Sequence, residues 1–541
     1  MRQKNRYFFS SFILTFILFI AIFVGTTVRG QDLNVIGVTL LRAMTTNLDG
    51  TGIRLAQAEA ELSTNPPTWE VNPANVGRDA SLFYYASSAG SSSTYTNSLG
   101  TNSWHADHVG NNYYGIPDGV ATNAAHIDNF EADYFYNSIV AGSVNIGDPV
   151  ANQSFIFGTE PLSTQQEIDS AYDNYADNHK TLFVSGAGNG YLSGSVYVTP
   201  AGTCYNGICV GVYGGTSSIG PTPDNGRCKP DITAPSISSP GTSFSTPYVS
   251  GTAAVLMQAG LRGDGGTDTN SASDIRMVKA LLLNGAVKPA DWTNATFSPL
   301  DLRYGSGMLN AYNSYKQLAG GKHAYIVSTS TSSGGSHPPT GATGTVNSLN
   351  AWDFNSVSGN GTTYGVNHYY FNVTNGMSNA VFTATATLVW NRPASPSDTI
   401  HYAINNLSLF LYNAANSNLV MVSTSMVDNV QQIFVPHLTP GRYDLQVLNA
   451  GGSTIPSTSE TYALAWAFTA PKLTVTKSGG NVILSWPAYP AGLEVVSTTD
   501  LTSSSWSTSG LPLPSFANGT NSITVPATAS AQFFRLYEPN F

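Results

Sequence analysis

Residues 31–320 alternate apolar runs with stretches of helical period, the pattern of an α/β domain. Ile53–Ala58, opened by Gly50-Thr51-Gly52, reads as a strand. Between Ser163 and Lys180 the apolar positions Ile168, Ala171, Tyr172 and Tyr175 fall at i, i+3, i+4 and i+7. That spacing predicts a helix, started by a capping box of Ser163 with Gln166. Thr181-Leu-Phe-Val-Ser185 is short and continuous, a buried strand that runs into Gly186-Ala-Gly-Asn-Gly190. A second helix is expected from Ser273 to Asn284, with Ile275, Val278 and Leu282 on one face. The polar stretches at 63–80 and 88–103 read as surface insertions.

After residue 320 the period changes. Ser328–Asn347 is rich in Ser, Thr and Gly, with Pro338-Pro339, and reads as a linker. From 348 to 470 the period is two. Phe382, Ala384, Ala386, Leu388 and Trp390 alternate with Thr383, Thr385 and Thr387, and Tyr443, Leu445 and Val447 follow the turn Thr439-Pro-Gly441. This predicts an antiparallel, jelly-roll-like β-sandwich. Residues 471–541, from Val482–Trp486 to Phe533–Tyr537, read as a further small β unit. The expected organisation is a leader at 1–30, an α/β domain at 31–320, a linker at 321–347, a sandwich at 348–470 and a small β domain at 471–541.

Composition adds location. Of 541 residues only 10% are charged, the net charge is −10, and no basic cluster follows residue 6, which argues against a nucleic-acid partner. Arg2, Lys4 and Arg6 precede the apolar run Tyr7–Val24, and small residues follow at 25–30. This is the pattern of a secretory signal peptide cleaved near Gly30-Gln31. The run is also long enough to span a bilayer, so a retained cell-surface anchor is the second reading. The cysteines are Cys204, Cys209 and Cys228. Either Cys204 and Cys209 close a small loop, as an oxidising compartment allows, or all three are buried thiols.

The stretch Gly241-Thr-Ser-Phe-Ser-Thr-Pro-Tyr-Val-Ser-Gly251, followed by the helix-like run Thr252–Met257, carries the chemistry. A turn of small residues delivers a serine to the start of a helix. Unpaired backbone N–H groups and the positive end of the dipole there suit a nucleophile whose reaction develops an oxyanion. The stretch resembles the nucleophile motif of the subtilases, the subtilisin-like serine peptidases, with Ser243 in the nucleophile's place.

Further segments extend the resemblance. Trp104-His-Ala-Asp-His-Val-Gly110 is similar to the family's His-Gly-Thr-His-Val segment, which implies His105 as general base and His108 as a structural residue; Ala106 and Asp107 depart from the pattern. As residues alone, His105 and His108 at i, i+3 also suit a metal, although no third ligand stands nearby. Phe183–Gly190 is similar to the strand that presents the oxyanion asparagine, which implies Asn189. Its plain alternative is an Asn-Gly turn. In the slot of the aspartate that orients the base stands Glu59, with Asp49 and Glu61 as other candidates and a lost acid as the remaining reading. Glu59 carries the same charge on one more methylene. Gly226–Pro235 and Arg303–Ala311 resemble two further family segments that serve packing.

The resemblance covers about residues 33–320 and implies a subtilisin-like parallel sheet flanked by helices. The function it implies is a secreted serine endopeptidase: Ser243 forms the acyl-enzyme, His105 is the base, Glu59 orients it and Asn189 binds the oxyanion. Protein or peptide substrates are the implied partners, with Ser154–Phe157 and Ser185–Gly188 edging the pocket. The alternative, motivated by Glu59 and by Ala106-Asp107, is a catalytically silent scaffold that binds polymers or surfaces. The chemistry requires no cofactor. Structural calcium is common in the family, but no loop shows a readable ligand pattern, so metal ligands stay unassigned. Surface or glycan contact is expected of the β domains, and the chain is expected to be a monomer. The roughly 20 residues from Gly30 to Gly50 are too few for an N-terminal inhibitory pro-domain.

Overall fold

The computed structural model describes residues 29–537 except 159, 191–196, 237–239, 333–337, 339–340, 361, 375–380, 395–403, 451–457, 488–492, 503–504 and 518–519. The expected leader lies outside the described residues except for Arg29 and Gly30, which open a short helix, Arg29–Val35. Among the described residues no helix is long and apolar enough to cross a membrane.

Eight strands form the first sheet: β1 (Arg54–Glu59), β2 (Phe83–Ser87), β3 (Gly90–Ser92), β4 (His126–Glu131), β5 (Val150–Gln153), β6 (Leu182–Gly186), β7 (Ile208–Val212) and β8 (Ile232–Ala234). Their spatial order is β8-β7-β6-β5-β1-β4-β2-β3. Every neighbouring pair is parallel except the β2–β3 hairpin. β5, β6 and β7 are buried along their whole length, which is why Thr181–Ser185, the β6 segment, reads as a continuous run rather than an alternating one. The order reverses at β1: the chain goes out to β2 and β4 on one side and returns to β5 on the other. In open α/β sheets, ligand crevices form outside the carboxyl ends of the strands at such a point.

The helices that matter are α1 (Trp104–Tyr113), α2 (Leu162–His179), α3 (Thr242–Arg262) and α4 (Ile275–Gly285). α3 is buried from Phe244 to Gly260. A helix apolar on all sides belongs inside a core. It passes so close to the loop after α1 that a methyl on Gly251 would stand 2.5 Å from Val120 Cβ and 3.1 Å from the Tyr113 carbonyl.

Three expectations need correction. α2 starts one residue before Ser163, behind Pro161, and no side chain caps it. The ring of Pro161 presets a helix-compatible φ, so the capping box is not needed. The stretch 63–80 is not a loose insertion: Thr68–Glu70 pairs with Thr101–Asn102, and Trp69, Glu70 and Val71 are buried. The segment 321–347 holds a strand, Val327–Thr331, rather than only a linker. Serine and threonine alternate there at a sheet edge, and threonine favours the strand. Of the two readings of the cysteines, the structure has the buried thiols: Cys204, Cys209 and Cys228 are free and buried, and burial pushes the Cys228 thiol up to about 12.

The sandwich packs a five-stranded sheet against a four-stranded one. With β9 (Val327–Thr331), β10 (Asn350–Ser358), β11 (Tyr364–Val373), β12 (Phe382–Trp390), β13 (Leu407–Asn413), β14 (Leu419–Ser423), β15 (Val430–Leu438), β16 (Gly441–Asn449) and β17 (Ser459–Thr469), the orders are β9-β11-β16-β13-β14 and β10-β17-β12-β15. Every pairing is antiparallel. Trp390, Leu388, Leu445 and Trp466 fill the space between the sheets. Smaller antiparallel sheets lie between Thr474 and Tyr537.

The sandwich shares a core with the α/β domain. Trp352, Val389, Val430, Ala463 and Ala465 belong to the same apolar cluster as the residues of α3 and α4. Buried polar bonds cross the junction. Asn206 accepts from the Arg392 backbone N–H at 2.7 Å and donates to its carbonyl at 2.8 Å. Thr387 donates to Asn284 at 2.9 Å, and the Cys228 N–H to Asp428 at 2.8 Å.

Candidate functional site

β1 ends at Glu59, on the carboxyl side of the sheet where the strand order reverses. Its carboxylate is buried. One oxygen stands 2.8 Å from His105 Nδ1. The other accepts from Gln57 Nε2 at 2.8 Å. Gln57 also donates to the Ala106 carbonyl at 3.0 Å and accepts from the Tyr114 hydroxyl at 2.6 Å. The extra methylene of a glutamate brings an extra rotor; the Gln57 amide, fixed at both ends, removes that freedom. Gln57 was missed from sequence, although it sits two residues before Glu59 and so on the same strand face.

His105 stands in the first turn of α1, which Ser103 caps by accepting from the Ala106 N–H at 3.3 Å. Asp107 explains the departure from the family pattern. One of its oxygens accepts from the Asn72 N–H at 2.8 Å, and the other from Asn75 and Asn102 at 2.7 Å each. It thereby ties both polar stretches to the helix that carries His105. The two other acid candidates are elsewhere. Asp49 binds Thr51 in its own turn, and Glu61 stands with Glu131 and Asp133 at the ends of β1 and β4. Burial, reinforced by Glu131 and Glu61, pushes the Asp133 carboxyl up to about 7.

Ser243 is the second residue of α3, where a backbone N–H has no intrahelical acceptor. The local sequence shapes the turn through Pro247. In a regular helix the N–H of residue 247 would bond to the carbonyl of residue 243. Proline has no N–H, and the freed Ser243 carbonyl accepts from the Ser154 hydroxyl at 2.8 Å. In return the Ser243 hydroxyl donates to the Ser154 carbonyl at 3.2 Å, its one partner among the described residues. Phe244 brings base and nucleophile to one place. Its ring lies 5.5 Å from the His105 ring and 4.7 Å from that of His108, and its carbonyl accepts from Asn112 at 3.0 Å.

Asn189 follows β6 and faces the serine turn. Its Oδ1 accepts from the Thr242 N–H at 2.9 Å and from the Thr242 hydroxyl at 3.3 Å. That fixes the amide, and its exposed Nδ2 has no partner among the described residues. An oriented, unsatisfied donor beside a helix N-terminus is what a developing oxyanion needs. Glu59 is bonded to His105, the His105 ring lies beside Phe244, and Asn189 is bonded to Thr242, so contacts reach both sequence neighbours of Ser243 from the base and from the amide. Among the described residues no three His, Cys, Asp or Glu side chains gather as a metal cluster.

The Subtilase family model matches residues 85–307, a segment that contains His105, Asn189 and Ser243; Glu59 lies before it. No curated protein matches the chain. Solved structures that resemble it include the prenylagaramide maturation protease PagA, at 20% identity over 53% of this chain and 99% of that one, with a TM-score of 0.35. A lanthipeptide protease resembles it at 17% identity over 52% and 96%, TM-score 0.36. A protease of Pseudoalteromonas arctica PAMC 21717 does so at 18% over 50% and 91%, TM-score 0.33. Residues 85–307 thus match the Subtilase family model, and the parallel sheet and the buried serine helix fall largely within that segment.

Proposed function

We propose that the chain is a secreted serine endopeptidase with a Ser243–His105–Glu59 triad. The observation that carries the reading is the 2.8 Å contact between Glu59 and His105 Nδ1, with the carboxylate buried and clamped. In the proposed reaction His105 Nε2 takes the Ser243 proton as Oγ attacks the peptide carbonyl. The tetrahedral oxyanion accepts from Asn189 Nδ2 and from the Ser243 backbone N–H. His105 then protonates the leaving amine, and water resolves the acyl-enzyme by the same route. Glu59 holds the proton-bearing tautomer at Nδ1 and stabilises the imidazolium. The basic and apolar N-terminal residues support export, and the β domains are assigned to surface or glycan contact.

One observation favours the silent scaffold instead: the Ser243 hydroxyl donates to the Ser154 carbonyl, and must leave it to reach His105. A fluorophosphonate probe separates the readings. Wild-type protein is expected to label at Ser243, and Ser243→Ala to lose all labelling. A folded wild type that does not react would leave the scaffold reading in place.

A further inference from the structure

The segment after β5 alternates. Phe155 is 8% exposed and Phe157 6%, whereas Ile156 between them is 40% exposed. Both phenylalanines point into the core, where their rings meet edge to face at 5.9 Å and Phe157 packs against Tyr136 and Tyr172. The Phe157 N–H is held by the Pro200 carbonyl at 2.9 Å. In extended backbone, successive side chains point to opposite sides. Two buried aromatic anchors therefore fix Ile156 on the face turned away from the core.

That face meets Gly188. A methyl built on Gly188 would lie 3.5 Å from Ile156 Cγ2 and 3.6 Å from its Cδ1, so the isoleucine side chain reaches across to the glycine. Gly188 cannot retreat. Its N–H donates to the Thr242 hydroxyl at 3.2 Å, its carbonyl accepts from the Ser218 N–H at 2.8 Å, and its φ of +93° suits glycine. Both residues belong to the nucleophile's surroundings. Ile156 is two residues from Ser154, which bonds to Ser243 twice, and Gly188 lies between Asn189 and the Thr242 contact.

Resting on the serine-peptidase reading above, we propose that Ile156 bars the pocket for the substrate side chain on the acyl side of the cleaved bond, so that the enzyme cuts after small residues such as glycine, alanine or serine. In the tetrahedral intermediate the attacked carbon is bonded to Ser243 Oγ, and its oxygen points to Asn189. The α-carbon of the acyl residue is one bond from that carbon. Its side chain therefore starts between the segment carrying Ser154 and the one carrying Gly188, the gap that Ile156 spans. An aromatic or long aliphatic side chain would have to displace an isoleucine held by two buried neighbours.

The test compares fluorogenic peptides that differ only in alanine or phenylalanine before the cleaved bond. Wild type is expected to favour alanine in kcat/KM by about 10-fold to 100-fold, the range that one misfitting apolar group commands. Ile156→Gly should raise the phenylalanine-to-alanine ratio by at least about 10-fold, and Ile156→Ala by less, in the same direction. A wild type that labels with fluorophosphonate yet cleaves after phenylalanine as readily as after alanine overturns the proposal. So does an unmoved ratio in the variants. If wild type does not label at all, it is the serine-peptidase reading that fails, and the two outcomes are distinguishable.

Discussion

At the scale of single residues, the weight rests on Glu59. On the proposed mechanism its carboxylate keeps the imidazole in the right tautomer, a role replaceable in shape but not in charge. Glu59→Gln should fold normally, because Gln57 can still bond to the amide oxygen, and should lower kcat by about 10^4-fold at neutral pH, as loss of the triad acid does elsewhere. Steady-state kinetics beside a thermal melt would check both halves; a loss under 10-fold would remove Glu59 from the triad. Ser243 and Asn189 stood out in sequence because each lies among small residues beside a turn, and His105 and Glu59 because of their order along the chain; the roles of all four rest on the proposal above. Gln57 and the paired bonds of Ser154 with Ser243 did not, since their partners come from strands and helices remote in sequence.

At the scale of elements, the nucleophile motif is two packing devices around one reactive group. Pro247 frees the serine carbonyl for Ser154, and Gly251 lets α3 lie against Val120. Gly251→Val should cost up to about 3 kcal/mol through overpacking, read as a lower denaturant midpoint at unchanged m-value; equal stability would mean that the contact with Val120 relaxes freely. The apolar periods at Ile275–Gly285 and Phe382–Trp390 predicted a helix and a strand and both form, although all of the helix but Arg276 and the last five residues of the strand are buried. They misled where a tertiary partner decides the conformation. Val327–Thr331 becomes a strand only because β11 offers its edge, and Trp69 is buried only because the chain folds back over it.

At the scale of the whole molecule, the junction between α/β domain and sandwich is sealed rather than hinged. Lys288 marks it. Its amine is buried, donates to the Ser306 carbonyl, and lies over the rings of Trp292 at 4.9 Å and of Phe434 at 5.8 Å, the latter contributed by the sandwich. Burial lowers its pKa from 10.5 to about 7. The unfolded chain keeps this proton up to 10.5 while the folded chain releases it near 7. Between those values the unfolded state binds more protons, and the lysine's contribution to stability rises with pH. Lys288→Met should therefore be more stable than wild type at pH 7 and lose that advantage towards pH 10, as paired urea titrations would show; a pH-independent difference would mean that Lys288 stays charged in the fold. The shared core around Trp352, Val389 and Val430 has a consequence for turnover in a protease-rich setting. A tethered catalytic unit survives the loss of its tail, but here trimming back to residue 320 would strip cover from α4 and from the buried Asp173 beside Arg392. Damage to the tail would unfold the α/β domain rather than set it loose.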